Sequence, residues 1–470
     1  MVRALALGTA PTARVRRVLT PMARVLLIRP GLGEFYRGVA AGLAVTHSPP
    51  LNLAMLAASL RARGHYVRVL DLEVGPHLDL ATELRSAAPD LVGVTFRTPQ
   101  WDQALGLVTL VRNVAPQART IAGGPHASAL PESCVLTGGF DMALQGEGED
   151  ALAALADGTD PAAIPGLHWA DGRSAAPGRA PVDLDALPLP AWEDYDLQAY
   201  GGSLVTRGAP VADLESSRGC PFGCIYCSKA VFGRKFAPFS PARFLEGVER
   251  AQAAGFRSFN LVDDTFTTDR ARAVAICEGL ARRPRPLPWT CTNGLRVDAV
   301  DVELLRLARR AGCRLVAFGL ESGSSARLAE AGKGASLAQG RAAVEAAHTA
   351  GLTTVGYFML GLPGETAESL EETIAFACSL PLDFAKFALT MPLPGTPLWR
   401  RWRDRLASPF DPGMSTYRTA EAWFDHPDLP WPVLRQAHGR AHRAFYGRPR
   451  QAARLVGRLA WRAISAAGRP

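Results

Sequence analysis

Hydrophobic and polar positions alternate along the chain in two runs of strand and helix, separated by a proline-rich stretch. Arg24–Arg29 is a nearly continuous apolar run, the pattern of a strand buried on both faces. An apolar-periodic segment from about Leu51 to Arg63 stops at Gly64, as a helix with a glycine cap would. Strand Tyr66–Leu72, helix Leu78–Ala87 and strand Leu91–Phe96 continue the alternation, and after the segment Gln103–Val114 comes the short strand Thr120–Ala122. Gly123-Gly124-Pro125-His126, Met142-Ala-Leu144 and Gly146-Glu-Gly-Glu149 close the run. Such alternation predicts a doubly wound parallel sheet, whose ligands sit at the carboxyl ends of its strands.

The second run places strands at Phe256–Val262, Trp289–Thr292, Leu315–Phe318, Thr353–Leu360 and Phe384–Leu389. A polar or glycine-rich motif follows each: Asp263-Asp264, Asn293, Gly319-Leu-Glu321-Ser-Gly323, Gly361-Leu-Pro-Gly-Glu365 and Met391-Pro-Leu-Pro-Gly-Thr396. A β/α barrel assembles its active site at that end of its strands. The expected fold class is therefore α/β throughout. Its expected parts are a disordered extension (1–22), a doubly wound domain (23–150), a linker (151–205), a barrel domain (206–400) and a helical basic region (401–470). The linker is marked by its Pro, Ala, Gly and Asp content, including Leu187-Pro-Leu-Pro-Ala-Trp192.

A chain of 470 residues is too long for one core. No apolar run reaches the length that crosses a bilayer, and residues 1–22 lack a signal-peptide core. The net charge of +8 is uneven: residues 1–33 carry six arginines, residues 431–470 carry nine, neither stretch has an acid, and the body between them is net −7. A uniformly basic nucleic-acid-coating domain is argued against, so no nucleic-acid partner is expected. Cys134, Cys277, Cys291, Cys313 and Cys378 are scattered in apolar surroundings, as small buried hydrophobes are. A reducing cytoplasm is the expected location.

The remaining thiols, Cys220, Cys224 and Cys227, share one short loop in Arg218-Gly-Cys-Pro-Phe-Gly-Cys-Ile-Tyr226-Cys227. At this spacing they suit three corners of an iron–sulfur cubane and leave the fourth iron for a small molecule. Zinc sites normally use four ligands, often from two paired clusters, and no second C-x-x-C exists; a disulfide would strand one thiol. The spacing, Tyr226 and the preceding Ser-Arg-Gly resemble the radical S-adenosylmethionine (SAM) superfamily. The resemblance implies a partial (β/α)6 barrel and a 4Fe-4S cluster whose open iron binds SAM and cleaves it to a 5′-deoxyadenosyl radical. It also places SAM contacts at Tyr226, Asp263, Asp264, Asn293 and Gly361, with Glu321 at the ribose.

Pro49-Pro-Leu-Asn-Leu-Ala54, Gly123-Gly-Pro-His-Ala127 and Gly146-Glu-Gly-Glu149 are similar to the Rossmann-like cobalamin-binding domain that precedes the barrel in one large subgroup. That similarity implies cobalamin contacts at Thr95, Thr98, Gly123, Gly124 and His126, the glycines letting the corrin's nucleotide tail lie against backbone. Histidine-ligating cobalamin domains carry D-x-H-x-x-G after the first strand, whereas this chain reads Arg29-Pro-Gly-Leu-Gly-Glu-Phe-Tyr36, with His47 out of frame. Cobalt is then expected to lack a histidine below it and to face the loop Thr95–Trp101.

Together the resemblances imply a cobalamin-dependent radical SAM methyltransferase acting on an unactivated carbon of a small-molecule or natural-product substrate. Its radical comes from SAM and its methyl from methylcobalamin, with electrons from a donor such as flavodoxin or ferredoxin. An oxidative cyclase resembling the anaerobic magnesium-protoporphyrin monomethyl ester cyclase is the alternative, favoured by the similar Phe445-Tyr-Gly-Arg-Pro449 tail. Residues 431–470 interleave arginines with Leu434, Phe445, Leu455 and Trp461. This basic amphipathic pattern suits either a cap packed on the barrel or peripheral contact with the inner face of a membrane.

Overall fold

A computed structural model describes residues 22–31, 47–75, 78–175, 183–201, 208–293, 295–406, 424–449, 451–454 and 456–457. The expected extension, apart from Met22, lies outside them, as do residues 32–36 of the segment after the first strand and 458–470 of the tail.

The first sheet contains β1 (Arg24–Arg29), β2 (Tyr66–Asp71), β3 (Leu91–Thr95), β4 (Arg119–Gly123), β5 (Met142–Leu144) and β6 (Leu167–Trp169). Their order is β2-β1-β3-β4-β5-β6, with only β6 antiparallel to its neighbour. Helices cover both faces, which is why Val25–Ile28 are all buried: Leu26 and Ile28 pack with Trp101 and Val111 on one side, Val25 and Leu27 with Leu53 and Leu152 on the other. The chain leaves β1 for β2 on one side and enters β3 on the other, and this reversal opens a crevice at the strands' carboxyl ends.

The sheet extends into the stretch expected to be linker, since the helix Glu149–Ala156 and β6 belong to it. Beyond β6 the stretch acts as a strap. Ala191 N–H donates to Ala54 at 3.1 Å, Trp192 packs edge-on against Phe256 with centroids 5.0 Å apart, and Arg61 pairs with Asp194 at 2.6 Å. The strap thus joins the helix Leu51–Ala62 to the second unit.

That unit begins with β7 (Val211–Leu214) and a two-stranded antiparallel ribbon of β8 (Ser217–Arg218) and β9 (Ala237–Pro238). Then come β10 (Ser258–Leu261), β11 (Trp289–Cys291), β12 (Cys313–Glu321), β13 (Thr353–Leu360) and β14 (Phe384–Leu389). With β7 they form a six-stranded parallel sheet in the order β14-β13-β12-β11-β10-β7, open at both edges as a partial barrel is. Ser240, Asp269, Asp301 and Thr366 cap the following helices by accepting the N–H three residues on, fixing where each begins. Stacked Phe259–Trp289 and Phe358–Phe387 pairs fill the core.

The C-terminal helix Trp431–Tyr446 covers the edge at β14. Leu434, Ala437, Ala441 and Phe445 are buried, and the Tyr446 hydroxyl donates to the Ala385 carbonyl at 2.8 Å while accepting that residue's N–H at 3.2 Å. A side chain thereby satisfies an otherwise unpaired strand edge. The helix's apolar side faces protein, as a cap's does, and among the described residues no helix is long and apolar enough to cross a membrane.

Candidate active site

The thiol loop hangs from the β8–β9 ribbon. At Gly219 the chain doubles back with φ +77°, and a Cβ there would lie 2.1 Å from the Lys235 carbonyl oxygen, so only glycine fits. The loop is then pinned from three directions. Ile225 N–H donates to Ala331 at 3.0 Å, Leu398 N–H donates to Ile225 at 2.9 Å, and the Arg296 guanidinium lies 3.5 Å from the Phe222 ring centroid. Cys220 is buried and Cys224 and Cys227 are partly buried; all three are free thiols, which removes the disulfide alternative. Lys229 Nζ stands 3.4 Å from Cys227 Sγ. No three His, Cys, Asp or Glu side chains among the described residues converge on a single metal ion, as a mononuclear zinc site would require. Three free thiols carried on one short loop match in number the protein ligands of a cluster that keeps one iron open.

The residues expected to hold SAM separate into two groups. Glu321, at the end of β12, and Tyr226, on the thiol loop, come together: burial pushes the Tyr226 phenol pKa well up, and Glu321 and Cys224 add to the shift. Asp264 is exposed and accepts the Gly219 N–H with Lys229 nearby, so it borders the thiol loop. Asn293 is exposed at the end of β11.

Asp263 and Gly361 are placed differently from the expectation. Asp263 is buried and accepts from Ser216 N–H at 2.5 Å, Ser216 Oγ at 2.6 Å and Ser217 Oγ at 2.6 Å. Its carboxylate therefore fixes the strand that leads into the loop, leaving Asp264 as the acid on the open side. Gly361 has its N–H bonded to Glu365 Oε2 at 3.1 Å and its carbonyl accepting from His426 Nε2 at 2.9 Å. Those backbone groups knit the turn to the C-terminal segment; they are not open for adenine.

Across from the loop lies a cavity between the two units. The first sheet contributes Thr95, Phe96, Arg97, Gln100, Gly123 and Gly124; the barrel contributes Asp213, Glu215, Arg218 and Phe232. The glycines form a cradle. A Cβ on Gly123 would meet only Val94 O, at an ordinary contact distance of 3.9 Å, whereas one on Gly124 (φ +85°) would meet Thr95 Oγ1 at 2.6 Å. Thr95 Oγ1 also accepts from Asn52 Nδ2 at 2.9 Å, a contact that ties the Pro49–Ala54 motif to the cradle. No histidine lines this wall among the described residues, and His47 pairs with Glu73 at 3.3 Å instead. Backbone left uncovered at the two glycines, beside a largely apolar lining, fits a cobalamin.

Thr98 and His126 stand one layer behind that wall. His126 is fully buried, its Nδ1 is 3.0 Å from Thr98 Oγ1, and its ring stacks on Phe96, which does line the cavity. Burial pushes the imidazole pKa down to about 4, so it is a neutral core group supporting the wall and not a group in it.

Arg218 connects the two sites. Only 4% of its side chain is exposed, and it binds Glu215 at 2.6 Å, Glu149 at 2.7 Å and Glu147 at 2.8 Å, the last two from the Gly146–Glu149 run of the first sheet. This junction, Asn52, and the Lys333 ammonium 2.8 Å from Glu321 Oε1 were not assigned from sequence. The Gly332-Lys-Gly334 stretch was the one local signal available for Lys333.

Residues 38–156 match the B12 binding domain and residues 214–377 the radical SAM superfamily. An uncharacterized methyltransferase of Pyrococcus horikoshii is 30% identical over 393 residues, covering 80% of this chain and 82% of its own length. The chain belongs to the cobalamin-binding radical SAM superfamily. This radical SAM enzyme is also 28% identical over 376 residues to the anaerobic magnesium-protoporphyrin IX monomethyl ester cyclase of Cereibacter sphaeroides, a match covering 76% of this chain and 61% of the cyclase. TsrM of Kitasatospora setae, solved with cobalamin and a 4Fe-4S cluster bound, shares its fold with a TM-score of 0.69 at 20% identity, over 89% of this chain and 91% of TsrM. The cofactors are accordingly a 4Fe-4S cluster, SAM and cobalamin.

Proposed function

We propose that this radical SAM enzyme methylates an unactivated carbon of a small-molecule or natural-product substrate bound between the thiol loop and the glycine cradle. The observation that carries this is Arg218: one buried side chain joins the strand leading into Cys220 to the acids beside the corrin cavity, so both sites share one interface. The methyltransferase relative favours methyl transfer; the cyclase relative keeps oxidative ring closure as the second reading.

When bound, SAM and the cluster supply a hydrogen-abstracting radical and cobalamin supplies the methyl group. The chain's own residues hold and orient. Cys220, Cys224 and Cys227 would hold the cluster, and Glu321, Asp264 and Asn293 would orient SAM beside it. Gly123 and Gly124 let the corrin approach backbone, and Phe96 and Phe232 keep that wall apolar, which limits side reactions with water. Flavodoxin or ferredoxin suits the electron supply.

The test is anaerobic turnover of cluster- and cobalamin-loaded enzyme with methyl-labelled SAM, reductant and a small-molecule extract of the source cells. Label in a new small molecule together with 5′-deoxyadenosine is expected, and C224A should form neither. Deoxyadenosine with an unlabelled, oxidised product would instead establish the cyclase reading.

A further inference from the structure

We propose that the substrate carries a carboxylate and that Lys386 binds it, with Tyr357 as the second donor; the inference rests on the proposed reaction taking place in the barrel beside Glu321. Helices cover only one face of the second sheet. Ala385, Phe387 and Leu389 of β14 point into that helix-covered core, where they pack with Phe358, Ile374 and Phe445. Alternation along the strand turns Phe384 and Lys386 to the other, concave face. There Phe384 joins Leu315, Ala317 and Val355 in a separate apolar cluster beside Tyr357, and Lys386 is exposed.

Lys386 lacks a counter-charge. Acids of the same sheet are engaged elsewhere: Asp213 accepts from Asn260 Nδ2 at 3.3 Å and Glu321 from Lys333 Nζ at 2.8 Å. Neither Lys386 nor the Tyr357 hydroxyl makes a hydrogen bond or ion pair among the described residues. One register row sets their geometry, since Gly319 pairs with Tyr357 and Tyr357 with Lys386. Neighbouring strands lie about 4.8 Å apart, so an ammonium and a hydroxyl on side chains of similar reach converge on one group. Two donors match the two oxygens of a carboxylate, and one positive charge balances its single negative charge. A Cβ on Gly319 would lie 2.3 Å from Glu321 Oε1, so the Glu321 carboxylate stands over the same row, two strand spacings or about 10 Å from Lys386. The carbon that faces SAM beside Glu321 is then several bonds from the carboxylate, and the apolar cluster supplies the floor under the substrate's body.

The experiment separates the small-molecule extract of the source cells on an anion exchanger and assays each fraction with the full chain loaded with cluster and cobalamin, reductant and methyl-labelled SAM. Labelled product is expected only from material that the column retains at about pH 8 and releases at about pH 3, where carboxylates are protonated and phosphates stay charged. With that fraction, K386M is expected to need about tenfold or more substrate for half-maximal product, the cost of a lost charged hydrogen bond. The loss should fall on the half-saturating amount more than on the rate at saturation, with SAM affinity and cobalamin content as in the native protein. K386R keeps the charge and should stay within about threefold, and Y357F, which removes a neutral donor, should lose less than K386M. An unlabelled, oxidised product is scored in the same way, because ring closure would use the same anchor. Product from unretained material or from material still bound at about pH 3, or a native substrate requirement in K386M, would overturn the inference and leave the proposed function standing. No new product from any fraction would overturn the proposed function and the inference with it.

Discussion

Arg218 Nη2 donates to Glu149 Oε1 at 2.7 Å, across the boundary between the barrel and the corrin-binding sheet. The same guanidinium meets Glu147 and Glu215, so one buried cation compensates three carboxylates that border the cavity. Desolvation alone would lower its pKa; Glu215 and Glu149 reverse that and hold it well above the usual range. Removing the cation leaves these acids facing one another, an uncompensated burial that costs about 3–5 kcal/mol. R218M is expected to lose stability on that scale and to release hydroxocobalamin on gel filtration. R218K, which keeps the charge but not the fork, should lose less of both. Denaturant unfolding and cobalamin-to-protein ratios measure this, and undiminished cobalamin retention in R218M would contradict it.

The two cradle glycines should respond differently. Gly124 has positive φ and no room for a Cβ beside Thr95 Oγ1, so G124A is expected to destabilise the first sheet by about 1–3 kcal/mol. Gly123 has an ordinary extended backbone (φ −139°) and room for a Cβ, which would make only one ordinary contact, with Val94 O at 3.9 Å. G123A should therefore unfold like the native protein and still bind hydroxocobalamin more weakly. Denaturation curves paired with cobalamin titration separate the two, and equal behaviour of both variants would count against the cradle.

His126 sets an acid limit on stability. Burial lowers its pKa in the folded protein to about 4, below the ordinary imidazole value of 6.5, so the unfolded chain binds the proton first as pH falls. Its contribution is complete above about pH 6.5 and lost progressively down to about pH 4, roughly 3 kcal/mol in all. Asp213 acts in the opposite sense. Burial pushes its carboxyl up to about 6, so its contribution is present at low pH and lost as pH rises through that value. H126Q is expected to lose less stability than the native protein between pH 7 and pH 4.5, measured by denaturant unfolding; parallel pH profiles would refute the assignment.

The strands were legible because parallel strands covered on both faces read as continuous apolar runs. Arg24–Arg29, Met142–Leu144, Thr353–Leu360 and Phe384–Leu389 run as the pattern predicts, and the other predicted strands differ by a few residues at their ends. The thiol loop was legible because its ligands are adjacent in sequence. What the pattern could not show depends on partners far away along the chain. Asp263 and Asp264 are neighbours of one type, yet Ser216 and Ser217 claim the first and leave the second beside the loop. His126 follows a cofactor-like glycine pair, but the chain turns its ring toward Thr98 and Phe96. Gly361 opens a glycine-rich turn whose carbonyl is taken by His426, which is 65 residues later. Short β6 escaped notice because three residues carry no period of their own.

The central claim is that the thiol loop and the glycine cradle place two cofactors in one interface. Electron paramagnetic resonance of the reduced protein, loaded with cluster and cob(II)alamin, tests it most directly. Mutual broadening or splitting of the two signals, absent when either C224A removes the cluster or cobalamin is omitted, is the predicted result. Two unperturbed signals that simply add would contradict it.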